Sequence, residues 1–120
     1  MPFDWKEFLE LSRDLRGQSG SGYSCEAAER TAVSRAYYGA FCHARNFAAT
    51  NLSFIPSYNY KDHVALQNYF KRIGHMDIAD NLLELRLWRN QCDYDDFIVS
   101  LEQIVQEAID RAQEVINYCS

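Results

Sequence analysis

The sequence has little proline and no long apolar run. Proline occurs only at positions 2 and 56, so little in the chain breaks a helix. No stretch approaches the roughly 20 apolar residues of a membrane-spanning helix. The start, MPFDWKEF, lacks the pattern of a secretory signal peptide. Few stretches alternate with the period of two that half-buried strands show. These absences predict a helical protein of the cytoplasm that is not inserted in a membrane.

Paired cysteines are absent too. The four cysteines, at positions 25, 42, 92 and 119, are far apart and form no Cys-x-x-Cys pair. Their spacing is wrong for a structural zinc site, and it favours reduced thiols in an intracellular protein. A chain of 120 residues buries enough surface to fold without a disulfide or a metal. We therefore predict no metal site and no cofactor.

Positive charge is scarce: 12 basic residues face 17 acidic ones, for a net charge of −5. Strong non-specific binding of nucleic acid needs a basic field that displaces counterions, so this balance argues against it while leaving room for a local basic groove. Arginine outnumbers lysine, and its planar guanidinium suits stacking and phosphate binding. Eight tyrosines and seven phenylalanines supply contact surface as well as core.

Helical periodicity is the dominant pattern. It predicts helices over residues 4–16, 24–50, 62–73, 76–91 and 95–118, with loops at GQSGSG and NLSFIPSYNY. In the second helix an alanine recurs every four residues from Ala28 to Ala44, which lets a neighbouring helix approach closely. Asp4 and Glu7 fit a capping box at the first helix. The predicted fold is a single all-α domain over residues 1–120, an up-and-down bundle of four to five helices.

Apolar residues at helical spacing are predicted to face the core of this bundle. They are supplied by all five predicted helices, and most are large. The predicted core residues are Trp5, Phe8, Leu9, Leu15, Tyr37, Phe41, Phe47, Val64, Leu66, Tyr69, Phe70, Ile78, Leu82, Leu85, Trp88, Phe97, Leu101, Ile104, Val105, Ala108, Ile109, Ala112, Val115 and Ile116.

Three stretches carry a family likeness. SRAYYGAFCHARNF, residues 34–47, resembles the second-helix signature of HEPN domains (higher eukaryotes and prokaryotes nucleotide-binding). LRLWRNQCDYDD, residues 85–96, resembles the Arg-Asn-x-x-Asp-Tyr segment found late in one prokaryotic branch of that family. KDHVALQNYF, residues 61–70, is similar to the family's third helix. The three stretches keep the family's order and spacing over most of the chain.

The resemblance implies a helical bundle that is commonly a homodimer. Many HEPN proteins are metal-independent ribonucleases, often toxins of toxin–antitoxin pairs, and others are binding or scaffolding modules without catalysis. Prokaryotic members are often encoded beside a small nucleotidyltransferase. The partners implied for this chain are thus a second copy of itself, a nucleotidyltransferase-type protein, and a nucleotide or RNA.

The catalytic residues of the family pattern are only partly present. The pattern is an arginine, a polar residue, and a histidine after four to six intervening residues. Arg89 and Asn90 fit its start, but positions 94 to 96 hold Tyr, Asp and Asp. None of the histidines, at 43, 63 and 75, follows an arginine at this spacing. We therefore predict a non-catalytic module that binds a nucleotide, RNA or a partner protein, with Arg35, Tyr38 and Arg89 as candidate binding residues.

Two other functions stay open. One is an endoribonuclease toxin with a rearranged site, in which arginine stabilises charge on the phosphate and another group moves the proton. Its candidate catalytic residues are Arg89, Asn90, Asp93, Tyr94 and His63. The other is a structural helical adaptor, which needs no chemistry from Arg89.

Structural roles are predicted for the same residues. Arg89 and Asp93, four positions apart, fit an ion pair on one helix face. Asp93, Asp95 and Asp96 fit N-caps of the fifth helix. Arg35, beside the row of alanines, is expected to need an acidic partner, for which Asp93 is the candidate. A metal site at DYDD is a weaker alternative, because such close carboxylates need further ligands.

Overall fold

The protein is a bundle of five α-helices in the part of the chain that the structure, a computed structural model, describes: residues 2–120. No strand occurs among these residues, so the predicted all-α bundle is confirmed. None of their helices is both long enough and apolar enough to span a membrane. The helices are α1 Glu7–Leu15, α2 Cys25–Asn51, α3 Asp62–Arg72, α4 Met76–Tyr94 and α5 Leu101–Tyr118.

Helix α2 is the centre of the bundle and packs against α1, α4 and α5. Its row of alanines is buried, as predicted, and these small side chains bring the neighbouring backbones close. A Cβ added at Gly39 would lie 3.1 Å from the carbonyl oxygen of Trp5. The Ser12 hydroxyl donates to the carbonyl of Ala32 at 2.6 Å. The buried alanines are Ala28, Ala32, Ala36, Ala40, Ala44 and Ala48.

Contacts near the helix ends give the helix directions. Ser12 meets Ala32, and the earlier residue Leu9 lies next to the later residue Gly39, so α1 and α2 run antiparallel. Arg30, early in α2, donates to the carbonyl of Cys92, late in α4. These antiparallel contacts bring the start of α2 to the end of α4, which shapes the candidate site described below.

The predicted core is largely correct, with two errors. Leu66 and Phe70 are fully buried where α3 packs on α4. Val64 is exposed, because a residue two positions before Leu66 points to the opposite side of a helix. Phe97 is 92 % exposed, because it lies in the segment between α4 and α5 and belongs to neither helix.

The predicted capping box at the first helix is wrong. α1 begins at Glu7, and its N-cap Lys6 makes no side-chain hydrogen bond to the helix. The Asp4 carboxylate instead accepts the backbone N–H of Lys6 at 3.1 Å. This local bond stabilises the turn before the helix, a competition typical of aspartate near a helix start.

The predicted boundary between the last two helices is also wrong. α4 continues to Tyr94, and α5 begins only at Leu101, after Ser100 in the left-handed region at φ 60°. The guanidinium of Arg30 donates to the carbonyls of Cys92, Asp95 and Asp96 at 3.1, 2.5 and 3.2 Å. The acids therefore end α4 instead of capping the start of α5, and a distant arginine satisfies the free carbonyls of that end.

Candidate functional site

Arg35, Tyr38 and Arg89 lie together where α2 faces the end of α4. The guanidinium carbon of Arg89 lies 5.4 Å from the centre of the Tyr38 ring and 5.6 Å from that of Tyr37. The guanidinium carbon of Arg35 lies 5.1 Å from the centre of the same Tyr38 ring and 4.8 Å from that of Phe8. The Tyr38 ring thus has two guanidiniums within the range of a cation–π contact.

The predicted pair of Arg35 with Asp93 is wrong. Arg35 donates to the hydroxyl of Ser34 at 3.2 Å and otherwise rests on aromatic rings. Asp93 instead pairs with Arg89 of its own helix, at 3.5 Å. Because its guanidinium rests on two aromatic rings and donates to one hydroxyl, Arg35 is accommodated without a carboxylate of the bundle.

The Arg89 side chain is only 14 % exposed. Its Nε, like that of Arg86, is buried and has no hydrogen-bond partner among the described residues. A buried donor without a partner is costly, by about 1–3 kcal/mol. Such donors are uncommon, and for Arg89 the faces of Tyr37 and Tyr38 next to the guanidinium offset part of this cost.

We name the concave surface around these residues the α2–α4 groove. It has a volume of about 630 Å³ and contains five of the predicted site residues: Arg35, Tyr38, Arg89, Asp93 and Tyr94. Asn90, next to Arg89 in sequence, lines a different hollow on the outer face of α4, with Leu87 and Gln91. Neighbouring helical residues point about 100° apart, which separates the arginine from its polar neighbour.

His63, like Asn90, is a predicted site residue that the groove does not include. Its Nδ1 is hydrogen bonded to the hydroxyl of Tyr37, and its ring stacks on Phe41 with the centres 4.3 Å apart. Burial lowers the pKa of His63, and the positive charges of Arg89 and Arg86 lower it further. At neutral pH the imidazole is therefore uncharged.

The Tyr37 hydroxyl determines which nitrogen of His63 carries the proton. Burial raises the pKa of Tyr37, so the hydroxyl keeps its hydrogen. Among the described residues, His63 Nδ1 is its one hydrogen-bond partner. A buried hydroxyl donates where it can, so Nδ1 accepts and the proton sits on Nε2. His63 is thus a hydrogen-bond donor at Nε2, and not a general base there.

His63 lines a second hollow, which we name the aromatic cavity, between α1, α2 and the loop that joins α2 to α3. Its volume is about 480 Å³. Arg35 and Tyr38 form the ridge between this cavity and the α2–α4 groove, since both line each of them. The lining residues are Trp5, Phe8, Arg35, Tyr38, Phe41, Cys42, Arg45, Tyr58, Asn59, Asp62 and His63.

Sequence reasoning missed most of this cavity. Trp5, Phe8 and Phe41 were predicted as core, and their large apolar side chains do not distinguish a cavity wall from a packed interior. Arg45 follows Phe41 by four positions, which puts both on one face of α2, and this is the signal that the sequence offered. Tyr58 lies in a loop whose return to the bundle cannot be inferred from local spacing.

The described residues offer no metal centre: in residues 2–120 there is no group of three or more His, Cys, Asp or Glu side chains placed to hold an ion. The four cysteines are free thiols. No family model, no curated protein and no solved structure matches the chain. The resemblance to HEPN domains therefore stays a prediction.

Proposed function

We propose that the chain is a HEPN-like, non-catalytic binding module whose α2–α4 groove binds a nucleotide or RNA through phosphate and base. The observation that carries this proposal is the placement of the Arg35 and Arg89 guanidiniums on the ring of one tyrosine, Tyr38. Arginine forks bind phosphate oxygens, and aromatic rings stack with bases of any sequence. The groove thus combines the two contacts that single-stranded nucleic acid uses.

The proton chemistry favours binding over cleavage. The groove contains no histidine among the described residues, and His63, in the neighbouring cavity, is an uncharged donor. Asp93 faces Arg89 at 3.5 Å, so this carboxylate is already engaged by a cation of its own helix. Arg89 and Arg35 remain as cations that hold a ligand.

The alternative function is a metal-independent endoribonuclease toxin with a rearranged site. The observation that favours it is the buried, unpartnered Nε of Arg89, which lies with Asp93 and Tyr94 in the groove; the Nε of Arg86 is also unpartnered but lies outside the groove. In this reading Arg89 and Arg35 stabilise the charge on the phosphate. Asp93 takes the proton of the attacking 2′-hydroxyl, and Tyr94 gives a proton to the 5′-oxygen as its bond to phosphorus breaks, which leaves a 2′,3′-cyclic phosphate. A purely structural adaptor, the remaining alternative, gives no reason for these unpartnered donors.

One experiment separates binding from cleavage. Fluorescently labelled single-stranded RNA is incubated in EDTA with the wild-type protein, with Arg89→Ala and with Arg72→Ala, a control that removes the same charge outside both hollows. We expect the RNA to stay intact and its anisotropy to rise as it binds the wild-type protein. Arg89→Ala should weaken the affinity for RNA by about tenfold or more, as expected for the loss of a charged hydrogen bond. Cleavage by the wild type and by Arg72→Ala but not by Arg89→Ala would sink the non-catalytic proposal and support the ribonuclease.

We also propose a protein partner at the segment between α4 and α5. Phe97 and Val99 are 92 and 86 % exposed there, and Tyr94, the last residue of α4, is 77 % exposed. Clustered exposed apolar side chains mark interaction surfaces more often than free surface. A second copy of the chain is the proposed occupant, and a nucleotidyltransferase-type protein is the alternative.

A further inference from the structure

The aromatic cavity has the chemistry of a second binding site, which adjoins the α2–α4 groove at the ridge formed by Arg35 and Tyr38. Rings line it on several sides: Trp5 and Phe8 at α1, Tyr38 and Phe41 on α2, and Tyr58 in the loop. Tyr58 holds a left-handed backbone conformation at φ 58°, which is uncommon for a residue with a side chain. The loop that adopts it places the Tyr58 ring 5.1 Å from the guanidinium carbon of Arg45.

Neither of the two arginines at this cavity has a described acidic partner. Among residues 2–120, neither Arg35 nor Arg45 forms an ion pair with a carboxylate. Arg45 donates through Nε to Asn46 at 3.1 Å and leaves its terminal nitrogens without a described partner. A guanidinium has five N–H donors in a fixed fork, so most of the donors of Arg35 and Arg45 are available to a ligand.

The remaining polar groups of the cavity add further donors. His63 Nε2 carries a proton, is not buried and has no partner among the described residues. Asn59 uses its side-chain oxygen to accept the backbone N–H of Lys61 at 2.9 Å, which leaves its NH₂ without a described partner.

The one carboxylate of the cavity is already engaged. Asp62 accepts from the N–H and the hydroxyl of Ser57 at 2.8 and 2.7 Å, and from the N–H of Tyr58 at 2.8 Å. Burial alone would raise the pKa of Asp62, but these hydrogen bonds lower it overall, so the group is charged. Two arginines against this aspartate leave a net positive cavity, and the carboxylate holds the loop in place.

We propose that the aromatic cavity binds a small planar aromatic anion, with its ring among Phe8, Tyr38 and Tyr58 and its anionic group on Arg35 and Arg45. Rings on several sides suit a flat ligand, donors without acceptors suit an anion, and a volume near 480 Å³ is that of a small-molecule site. This inference goes beyond the proposed function, because it requires nothing to bind in the α2–α4 groove. A nucleoside monophosphate and an aromatic carboxylate share the required chemistry.

Calorimetric titration of the full chain tests the site. The ligands are the four nucleoside 5′-monophosphates and indole-3-acetate. The uncharged nucleosides test the ring without the charge, and inorganic phosphate tests the charge without the ring. We expect saturable binding of at least one aromatic anion and binding at least about tenfold weaker for the ring or the charge alone, since each lacks one set of contacts. Whether the nucleoside monophosphates or the aromatic carboxylate bind more tightly identifies the class of anion.

Matched variants place the ligand in the cavity. Arg45→Ala and Tyr58→Ala should each weaken binding about tenfold or more. Arg72→Ala, whose guanidinium rests on Tyr69 outside the cavity, and Tyr60→Ala, an exposed loop tyrosine, should leave it unchanged. No binding of any aromatic anion by the folded wild type, or equal losses in tests and controls, would overturn the site.

The two proposals can fail separately. Loss of RNA binding in Arg89→Ala with no aromatic-anion binding by the wild type would remove the cavity site and keep the groove function. If the protein binds an aromatic anion through Arg45 but binds no RNA, the cavity site would be kept and the groove function removed.

Discussion

At the scale of single residues, the hydrogen bond between Tyr37 and His63 decides the chemistry of the region. Tyr37 is buried in the core, and its hydroxyl reaches the start of α3. The bond holds the proton of His63 on Nε2 and turns the ring flat against Phe41. A histidine that looks like a candidate base in the sequence is therefore a neutral donor in the fold.

Replacing Tyr37 by Phe should destabilise the protein by about 1–3 kcal/mol, because His63 Nδ1 loses its donor while the ring volume is kept. Urea unfolding measures this change. Nitrogen-15 spectra of the imidazole should show the preference for the Nε2–H form weakening. Tyr38→Phe is the control, because the Tyr38 hydroxyl has no hydrogen-bond partner among the described residues. Similar losses of stability in the two variants would contradict the role given to this bond.

The lowered pKa of His63 also predicts a pH dependence of stability. The unfolded chain takes up a proton near the ordinary histidine pKa of about 6.5, whereas burial, Arg89 and Arg86 keep the folded His63 neutral to lower pH. This part of the stability is therefore complete above about pH 6.5 and is lost as pH falls towards the folded pKa. Between pH 7.5 and pH 5.5 the free energy of unfolding should fall less in His63→Gln than in the wild type or in His43→Gln. An unchanged loss in His63→Gln would show that other groups cause it.

At the scale of elements, Arg30 joins the start of α2 to the end of α4. Its three hydrogen bonds go to backbone carbonyls that the helix itself cannot satisfy, and its ion pair with Glu26 at 3.0 Å orients the guanidinium. A cation also interacts favourably with the negative end of a helix. The last turn of α4, which carries Asp93 and Tyr94, depends on this arginine.

Replacing Arg30 by Ala should cost about 2–3 kcal/mol of stability, because the carbonyls lose charged hydrogen bonds. Hydrogen exchange should quicken at the amides of the last turn of α4, residues 91–95. Arg30→Lys keeps the positive charge but not the forked donors of the guanidinium, so its loss of stability should lie between zero and that of Arg30→Ala. Glu26→Gln, which removes an exposed ion-pair partner, should change stability by less than about 1 kcal/mol. Unaltered exchange in Arg30→Ala would mean that α4 ends where it does without the arginine.

At the scale of the whole molecule, small side chains on α2 set how closely the bundle packs. The buried alanines and Gly39 leave room for the backbone of α1, and larger residues of α4 and α5 fill the rest of the core. Leu85, Val105, Ile109 and Val115 are among the most deeply buried of these. The stability of the bundle is therefore more sensitive to added side-chain volume on the buried face of α2 than on the exposed face of that helix.

Replacing Ala40 by Leu should destabilise the protein by about 1–3 kcal/mol, because a closely packed core must shift to admit the added methyl groups. Ala27→Leu, at an exposed position of the same helix, should change stability by no more than about 0.5 kcal/mol. Thermal unfolding followed by circular dichroism compares the two. Equal stability of the variants would show that α2 has spare room beside Ala40.

The exposed segment between α4 and α5 predicts self-association. Light scattering after size exclusion should give twice the chain mass of 14.0 kDa. Phe97→Ser should shift the protein to the monomer mass, because an exposed aromatic at an interface loses its buried area. Ile55→Ser, an equally exposed apolar position in another loop, serves as the control. A monomer mass for the wild type would contradict the proposed dimer and leave a different protein as the partner for this surface.

The sequence by itself determined the helices, the close-packed face of α2 and the local pair of Arg89 with Asp93, because helical spacing repeats over a few residues and these features depend on spacing alone. Only the tertiary structure decided that Arg30 ends α4, that Phe97 is exposed, and that Arg45, Tyr58 and His63 share a cavity. These features join residues that are distant in sequence. Which helix ends meet, and how each helix is rotated about its axis, depends on packing of the whole bundle, and local periodicity does not encode it.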